Sequence, residues 1–518
     1  MSDSSSSLSS AQRRVVIIGG GLSGLATAVH LHLLDPSLQL TVLESADRVG
    51  GVIHTQQVTL PSGQSFVLDH GADMFATQPP AALKLCERLG VADQLILPNT
   101  DDAGAMIVFK GRLQRIPDGF VLMRATRVWP MITTPLLSPL AKLRLLAERW
   151  VRPENSAHRN KQQNTEGNTG QNSADPDGDV SVAHFVRRRM GTAVLDKIVS
   201  PLVAGIYTAD VERLSMLATM APIAEMVRQH GSLTAATRRR KREGSDGTER
   251  NSAGARYHNF RAFRGGMIQL IQSLTAALPD QTIQTQADVQ SLNWNASQKT
   301  WAVRTGDHEI QCDAVVLATP ARVSARLLQT IPTNDLKPAA NAAADQLSQI
   351  ESASAAIAVL VVRKDQISKP IDFFGFVVPM LERRRILAGS FASVKFAGRC
   401  DDDHLIVRVF MGGALQSELL ERDDDQLIRI AREELADLVG LSGDPVYAAV
   451  VRWNAAMPQY HVGHLERVRQ IESNLAKLPA LEMTSNALHG VGIAPVISAA
   501  ESTAKKIVEQ LSPDPSDR

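Results

Sequence analysis

Apolar residues first cluster at Val15-Val16-Ile17-Ile18, an unbroken run that closes on Gly19-Gly20-Gly21. Four branched residues with no polar alternate describe a strand buried on both faces. From Leu22 to Leu31 small and apolar residues recur at helical spacing, and Leu40-Thr41-Val42-Leu43-Glu44 predicts a second strand. Strand, glycine turn, helix and strand make a βαβ unit, whose crossover needs a parallel pair. Further along, Ile283–Asn295 and Thr300–Arg304 alternate about a polar turn and predict a hairpin. Ala314–Ala318 is another fully buried run. Ala355–Val362, Phe374–Val378 and Leu405–Met411 predict three more strands, and a last helix is expected over Ser498–Gln510.

Two segments break the pattern. Residues 153–179 hold no apolar side chain larger than alanine and cannot offset their ordering entropy, so a disordered insertion is expected there. Residues 238–256 read the same way and open with five consecutive basic residues, Arg238–Arg242. The serine-rich stretch 1–12 is expected to be disordered, and its lack of a basic and an apolar region excludes a secretory signal. Phe120–Leu146 is strongly apolar with Arg124, Arg127, Lys142 and Arg144 around it. It fits either a buried helical hairpin or a shallow membrane-contacting surface.

Composition narrows the class. The 518 residues are 44% hydrophobic and 21% charged, ordinary for a multidomain globular chain. A net charge of +1 offers no global field to recruit nucleic acid, so no nucleic-acid partner is expected. Cys86, Cys312 and Cys400 are far apart and match neither a metal nor a disulfide spacing, which suggests reduced thiols in a cytoplasmic setting. The histidines show no ligand spacing, and no metal site is expected. No run reaches the roughly 18 apolar residues of a membrane span.

Candidate chemistry starts at Gly19-Gly20-Gly21-Leu22-Ser23-Gly24, a G-x-G-x-x-G match between a buried strand and a helix. Gly19 allows the tight turn, Gly21 the approach of a pyrophosphate, and Gly24 close packing of helix on strand. Glu44, about 20 residues on at the end of the second strand, is placed to accept hydrogen bonds from a ribose. A dinucleotide site over Gly19, Gly21, Leu22, Ser23, Gly24, Glu44 and Ser45 follows.

Beyond it, Glu44-x-x-x-Arg48-x-Gly50-Gly51-x-x-x-Thr55 resembles the second fingerprint of glutathione-reductase-type flavoproteins, in their amine-oxidase and desaturase branch. The resemblance implies FAD, with Arg48, Gly50, Gly51 and Val52 passing beside the flavin. It implies further contacts from Val289, from Gly71 in Asp69-His70-Gly71-Ala72-Asp73, and from Gly490, Gly492 and Ile493 before the last helix. Ser485 and Ala500 stand where that branch usually has glycines. His489 lies near the expected flavin loop and is read as a turn histidine.

Ser200–Asp210 (SPLVAGIYTAD), Leu214-Ser215, His230–Leu233 and Phe263-Arg264-Gly265-Gly266-Met267 are similar to the signature segments of the protoporphyrinogen and coproporphyrinogen oxidase family. That resemblance implies oxidation of a porphyrinogen to a porphyrin by oxygen, in three hydride transfers to flavin, yielding hydrogen peroxide during haem synthesis. It implies a tetrapyrrole slot floored by Gly205, Ile371, Leu387 and Phe396. No dedicated catalytic acid or base is required. Plant-type members carry an arginine where this chain has Ala105, so Lys395, Arg385 and Arg127 become the candidate partners of the propionates. Alternatives are a flavin amine oxidase, although Ser485–Gly490 lacks the aromatic residue of an amine cage, a carotenoid-type desaturase, and a non-catalytic FAD scaffold.

The expected architecture is α/β. A Rossmann-type, glutathione-reductase-like FAD domain (13–78, 258–325 and 465–512) joins a helical lobe (79–257) and a mixed-sheet substrate domain (326–464). Contact with the inner face of a membrane, if any, would be peripheral and run through 120–146, and the oligomeric state is open.

Overall fold

The computed structural model describes residues 12–99, 104–121, 123–125, 128–151, 178–242, 257–306, 308–332 and 335–512. Strand β1 (Arg14–Ile18), helix α1 (Leu22–Leu34) and strand β2 (Gln39–Leu43) form the expected unit, with Val15–Ile18 buried. They seed a five-stranded parallel sheet in the order Ile283–Gln284, β2, β1, Ala314–Leu317, Leu481–Met483. Three distant stretches of chain therefore meet in one sheet.

Alternate residues of β1 serve opposite cores. Val15 and Ile17 face α1 and the C-terminal helix Ile493–Leu511. Val16 and Ile18 face the helices Ala321–Gln329, Lys337–Ser348 and His464–Leu475. Helices on both faces of a parallel sheet make a Rossmann-type, doubly wound layer structure. The C-terminal helix starts at Ile493 rather than near Ser498: Pro495 lies in its first turn, where no intrahelical N–H is needed.

A second, seven-stranded mixed sheet has the order Tyr447–Pro458, Ser352–Arg363, His404–Gly412, Ala388–Phe391, Gly375–Val377, Ala105–Phe109, Arg112–Arg115. Only the contact between Gly375–Val377 and Ala105–Phe109 is parallel. Helix Asp424–Val439 covers one face, and Phe66 and Leu68 pack on the other. Residues 105–115, expected in the helical lobe, thus belong to this sheet. Helix Lys337–Ser348, expected in the substrate domain, belongs to the core of the parallel sheet. Both boundaries move because pairing and packing partners lie far away in sequence.

The helical region has its own core, built from Leu136, Val186, Ile198, Val203 and Ile223 among others. Arg238–Arg242, expected in a disordered insertion, are the last turns of helix Leu233–Arg242. Asp179, placed in the other insertion, is buried and accepts bonds from Ser215 Oγ (2.5 Å) and the amides of Val180 and Leu217. It ties the chain to the start of helix Met216–His230. The rest of those insertions, residues 152–177 and 243–256, and the N-terminal 1–11 lie outside the described residues, as does Arg127. Among the described residues, no helix is long and apolar enough to cross a membrane.

Candidate cofactor cleft

The cleft opens where β1, β2 and Ala314–Leu317 end, the carboxyl edge at which open α/β sheets bind ligands. Gly21 caps α1 with no side-chain hydrogen bond. The first amides of α1 are thus free donors at the positive end of the helix, suited to a pyrophosphate. A Cβ on Gly24 would sit 1.9 Å from the Gly19 carbonyl oxygen, so only glycine lets α1 pack onto the end of β1. Around a Cβ at Gly21 there is nothing within 4 Å, which is the room a ligand would use.

Glu44 braces this turn. Its Oε2 accepts from the Gly20 amide at 2.8 Å and its Oε1 from the Ala46 amide at 2.9 Å. A carboxylate accepts about four bonds, which leaves capacity for ribose hydroxyls. The Gly50 amide donates to Gly20 O at 2.8 Å, drawing the second glycine pair against the first. Arg48 does not line the cleft; its guanidinium donates to Val49 O (3.3 Å) and Gly51 O (3.0 Å) and holds that loop.

Gly19, Gly21, Leu22, Ser23, Glu44, Ser45, Gly50, Gly51, Val52, Val289 and Ile493 all line one cleft of about 480 Å³. Gly24, Gly71, Gly490 and Gly492 stand behind its wall. A Cβ on Gly71 would lie 2.1 Å from Val52 O, so this glycine lets the 69–73 turn press on the loop that faces the cleft. Gly492 caps the C-terminal helix. The Gly490 amide donates to the Tyr460 hydroxyl at 2.8 Å, and that hydroxyl donates to Asn486 O. His489 pairs with Glu472 at 2.8 Å on the surface, in keeping with a turn residue. Ser485 lines the cleft, and Ala500 is fully buried in the core shared with α1.

Sequence reasoning missed one wall. Trp453–Pro458 and Ser352 line the cleft opposite the glycine loops. There the strand Tyr447–Pro458 slips register against Ser352–Arg363, with Ala455 left-handed at φ 47°. Ser354 Oγ accepts from the Ala455 amide at 2.8 Å and Arg322 donates to its carbonyl at 3.0 Å. The irregularity re-aims the strand end toward the cleft.

The four substrate residues do not share a surface. Gly205 is exposed on helix Ser200–Tyr207, where a Cβ would lie 3.5 Å from Val377, and its neighbour Ala204 lines one hollow with Leu387. That hollow holds about 10 Å³, so a macrocycle enters there only if the helix and the Val378–Met380 turn separate. Ile371 lines a separate cleft of about 960 Å³ with Leu97, Lys369 and His404. Phe396 is wholly buried beneath Lys395 and Arg399 and floors nothing.

Two proposed propionate partners are also taken. Lys395 is buried and bonded to Asp73 at 2.8 Å, and Arg385 pairs with Glu433 at 2.8 Å. Among the described residues no group of three or more His, Cys, Asp or Glu gathers to hold a metal. Cys86 and Cys312 are free thiols pushed up to about 12 by burial.

A glycine-turn helix start, a brace at the end of β2 and a cleft running on to a second sheet define a dinucleotide-dependent oxidoreductase of the flavoprotein type. Residues 22–508 match the family described as flavin containing amine oxidoreductase, and the chain belongs to that family, with FAD as its cofactor. The uncapped helix start, the open space at Gly21 and the long cleft fit such a cofactor. Among characterised relatives, the chain is 30% identical to a coproporphyrinogen III oxidase of Propionibacterium freudenreichii subsp. freudenreichii, over 96% of this chain and 90% of that protein. It is 26% identical to the coproporphyrinogen III oxidase of Staphylococcus aureus, covering 96% and 100%. It is 24% identical to protoporphyrinogen oxidase 2 of Arabidopsis thaliana, covering 96% and 94%. The fold matches a solved structure from Exiguobacterium sp. 255-15 with a TM-score of 0.78 at 24% identity, covering 96% and 99%. Reduced UDP-galactopyranose mutase matches at 0.65 and 14%, covering 97% and 96%.

Proposed function

We propose that this protein oxidises coproporphyrinogen III to coproporphyrin III in haem biosynthesis, with oxygen as the electron acceptor and hydrogen peroxide as the second product. The observation that carries this reading is similarity along nearly the whole chain to coproporphyrinogen III oxidases from several bacteria. It combines with a cleft whose far wall belongs to a second sheet, where a substrate can meet the cofactor. Bound flavin would supply the hydride acceptor.

The residues of the chain position and exclude. With FAD bound, the first amides of α1 would hold the pyrophosphate, Glu44 would hold a ribose, and Gly50–Val52 would pass beside the ring system. Trp453–Pro458 and Val491–Ile493 close the opposite side and keep water from the reacting face. Six electrons leave in three two-electron steps, each acting on a differently oxidised macrocycle, which favours an apolar surface over fixed polar clamps. Arg322 is the basic residue among the described lining and is available to a carboxylate.

Anaerobic mixing of FAD-loaded protein with reduced substrates tests the assignment. Coproporphyrinogen III should bleach the flavin absorbance faster than protoporphyrinogen IX, and readmitted oxygen should yield about three peroxides per porphyrin, the ratio set by three two-electron steps. Bleaching by amines alone would establish an amine oxidase, and loss of bleaching by every donor a scaffold.

The same proposal places the protein in the cytoplasm with one face on a membrane. Trp129 (72% exposed), Ile132, Leu140 (78%), Leu143, Leu146 and Trp150 crowd one short stretch. The start of helix Leu233–Arg242 packs against the 147–150 turn, its Leu233 and Thr234 amides donating to Glu148. Exposed apolar residues with Arg149 stacked on Trp150 among them suit an anionic bilayer surface.

A further inference from the structure

The turn Asp69–Asp73 forms part of the cleft wall through Ala72, and Trp453 on the opposite wall donates its indole N–H to His70 O at 3.2 Å. Directly behind this turn lies a sealed group of charges, its cations contributed by the segment Lys395–Arg408 that leads into strand His404–Gly412. Asp73 Oδ2 accepts a hydrogen bond from Lys395 Nζ at 2.8 Å and lies 3.1 Å from Arg408 Nη1 in an ion pair, and Asp69 Oδ2 lies 3.1 Å from Arg399 Nη2, an ion pair without hydrogen-bond geometry. Arg408 also donates to Gly71 O. All five charged side chains are at least nine-tenths buried.

The charges do not cancel. Three cations face two carboxylates, leaving one positive charge in surplus. The neighbours add no counter-charge: His70 and His54 share a 3.1 Å contact between their Nδ1 atoms, and Tyr257 is held as the neutral phenol by burial beside Asp73. Arg408 Nε is buried without a hydrogen-bond partner among the described residues. A buried charge is screened far less than a surface one. Stability alone does not explain the arrangement, since an apolar cluster of equal volume packs at least as well as buried ions.

We propose that Lys395, Arg399 and Arg408 are positioning residues that hold the 69–73 turn against the cleft and set the reduction potential of the bound flavin through the surplus charge. Reduced flavin carries more negative charge than oxidised flavin, so a fixed cation behind the wall raises the potential. The inference rests on flavin occupying the cleft and is independent of which porphyrinogen reacts.

Spectroelectrochemical titration of FAD-loaded variants decides it. Asp73→Asn removes one negative charge with little change of shape and should bind reduced flavin about tenfold more tightly relative to oxidised flavin, a rise of about 30 mV for a two-electron couple. Lys395→Met should move the potential down by a similar amount. The double variant Asp73→Asn/Lys395→Met restores the surplus and should return to the wild-type value. If Lys395→Met does not fold, Asp73→Asn and the double variant still decide. Arg408→Lys keeps the charge while losing the bond to Gly71, and should leave the potential in place. Potentials that stay put in all variants, or that fall in both Asp73→Asn and Lys395→Met, would overturn the inference. Wild-type protein that retains no flavin absorbance would instead defeat the cofactor reading.

Discussion

Substituting the two inner glycines of the nucleotide turn separates what the turn does for the fold from what it does for the cofactor. In Gly24→Ala, the new Cβ lies 1.9 Å from Gly19 O, a backbone atom that cannot swing aside. Relieving the overlap to ordinary contact means moving α1 outward by roughly 1.5 Å at its start, beyond what packed interiors absorb without loss. Overpacking of this kind costs about 1–3 kcal/mol. The same movement pulls the free amides of α1 off the pyrophosphate. Losing one or two charge-assisted hydrogen bonds at about 1.5–3 kcal/mol each weakens FAD binding by roughly 10²-fold or more. In Gly21→Ala the backbone is already extended at φ −72°, and nothing lies within 4 Å of the new Cβ. Its apoprotein should keep wild-type stability to within about 0.5 kcal/mol, while the methyl group fills space the cofactor needs. Flavin-fluorescence titration of apoprotein gives the affinity, and denaturant unfolding of the same samples gives the stability. Both variants should lose FAD, but only Gly24→Ala should lose stability. Gly24→Ala that binds FAD with native affinity, or Gly21→Ala apoprotein as unstable as Gly24→Ala, refutes the assignment of roles.

Three other outcomes follow from the packing. His30, His70 and His464 are buried, and burial first of all pushes each down to about 4, below the ordinary histidine value of about 6.5. The unfolded chain therefore binds more protons between those values, so stability should fall as pH drops from 6.5 towards 4, by up to about 4 kcal/mol per pH unit for three sites. A flat melting profile across that range contradicts the burial of these rings. Burial raises all three thiols, but Cys86 and Cys312 are sealed from solvent while Cys400 is half-buried, so only Cys400 should react, and slowly, with a thiol reagent in the native state at neutral pH, the others waiting for denaturant. Finally, Trp129→Asp/Leu140→Asp should reduce sedimentation with anionic phosphatidylglycerol vesicles by about 100-fold, since each lost apolar side chain contributes about 1.5–3 kcal/mol. Unchanged sedimentation, or equal binding to neutral vesicles, removes the membrane surface.

What the sequence makes legible is local geometry with a single chemical solution. Gly19, Gly21 and Gly24 are readable because a strand-to-helix turn around an anion leaves no alternative at those spacings. Glu44 is readable because β2 has to end there. The opposite wall is silent for the converse reason. Trp453–Pro458 (WNAAMP) has no periodicity that marks it, and its slipped register depends on pairing with Ser352–Arg363, about a hundred residues away. Lys395 and Phe396 mislead similarly. A lysine beside a phenylalanine reads equally well as the rim and floor of a slot, and only the tertiary pairing with Asp73 shows both to be interior. Composition misjudged Arg238–Arg242 too, since helix Leu233–Arg242 begins on apolar residues that dock it before the basic run starts.

The parallel sheet is assembled from distant stretches of chain: β1 is made long before Leu481–Met483, which lies two strands away from it in the sheet, and before the helix Ile493–Leu511 that packs on the same core. A ribosome-bound chain therefore exposes one bare edge of its central layer, and the greasy side of α1, until residues 481–511 have emerged. Such a topology has high contact order and folds slowly. Nascent chains of this protein should accordingly depend on holdase protection, and flavin should be captured only after release, so that riboflavin shortage would show up first as aggregation of newly made protein rather than as loss from mature molecules.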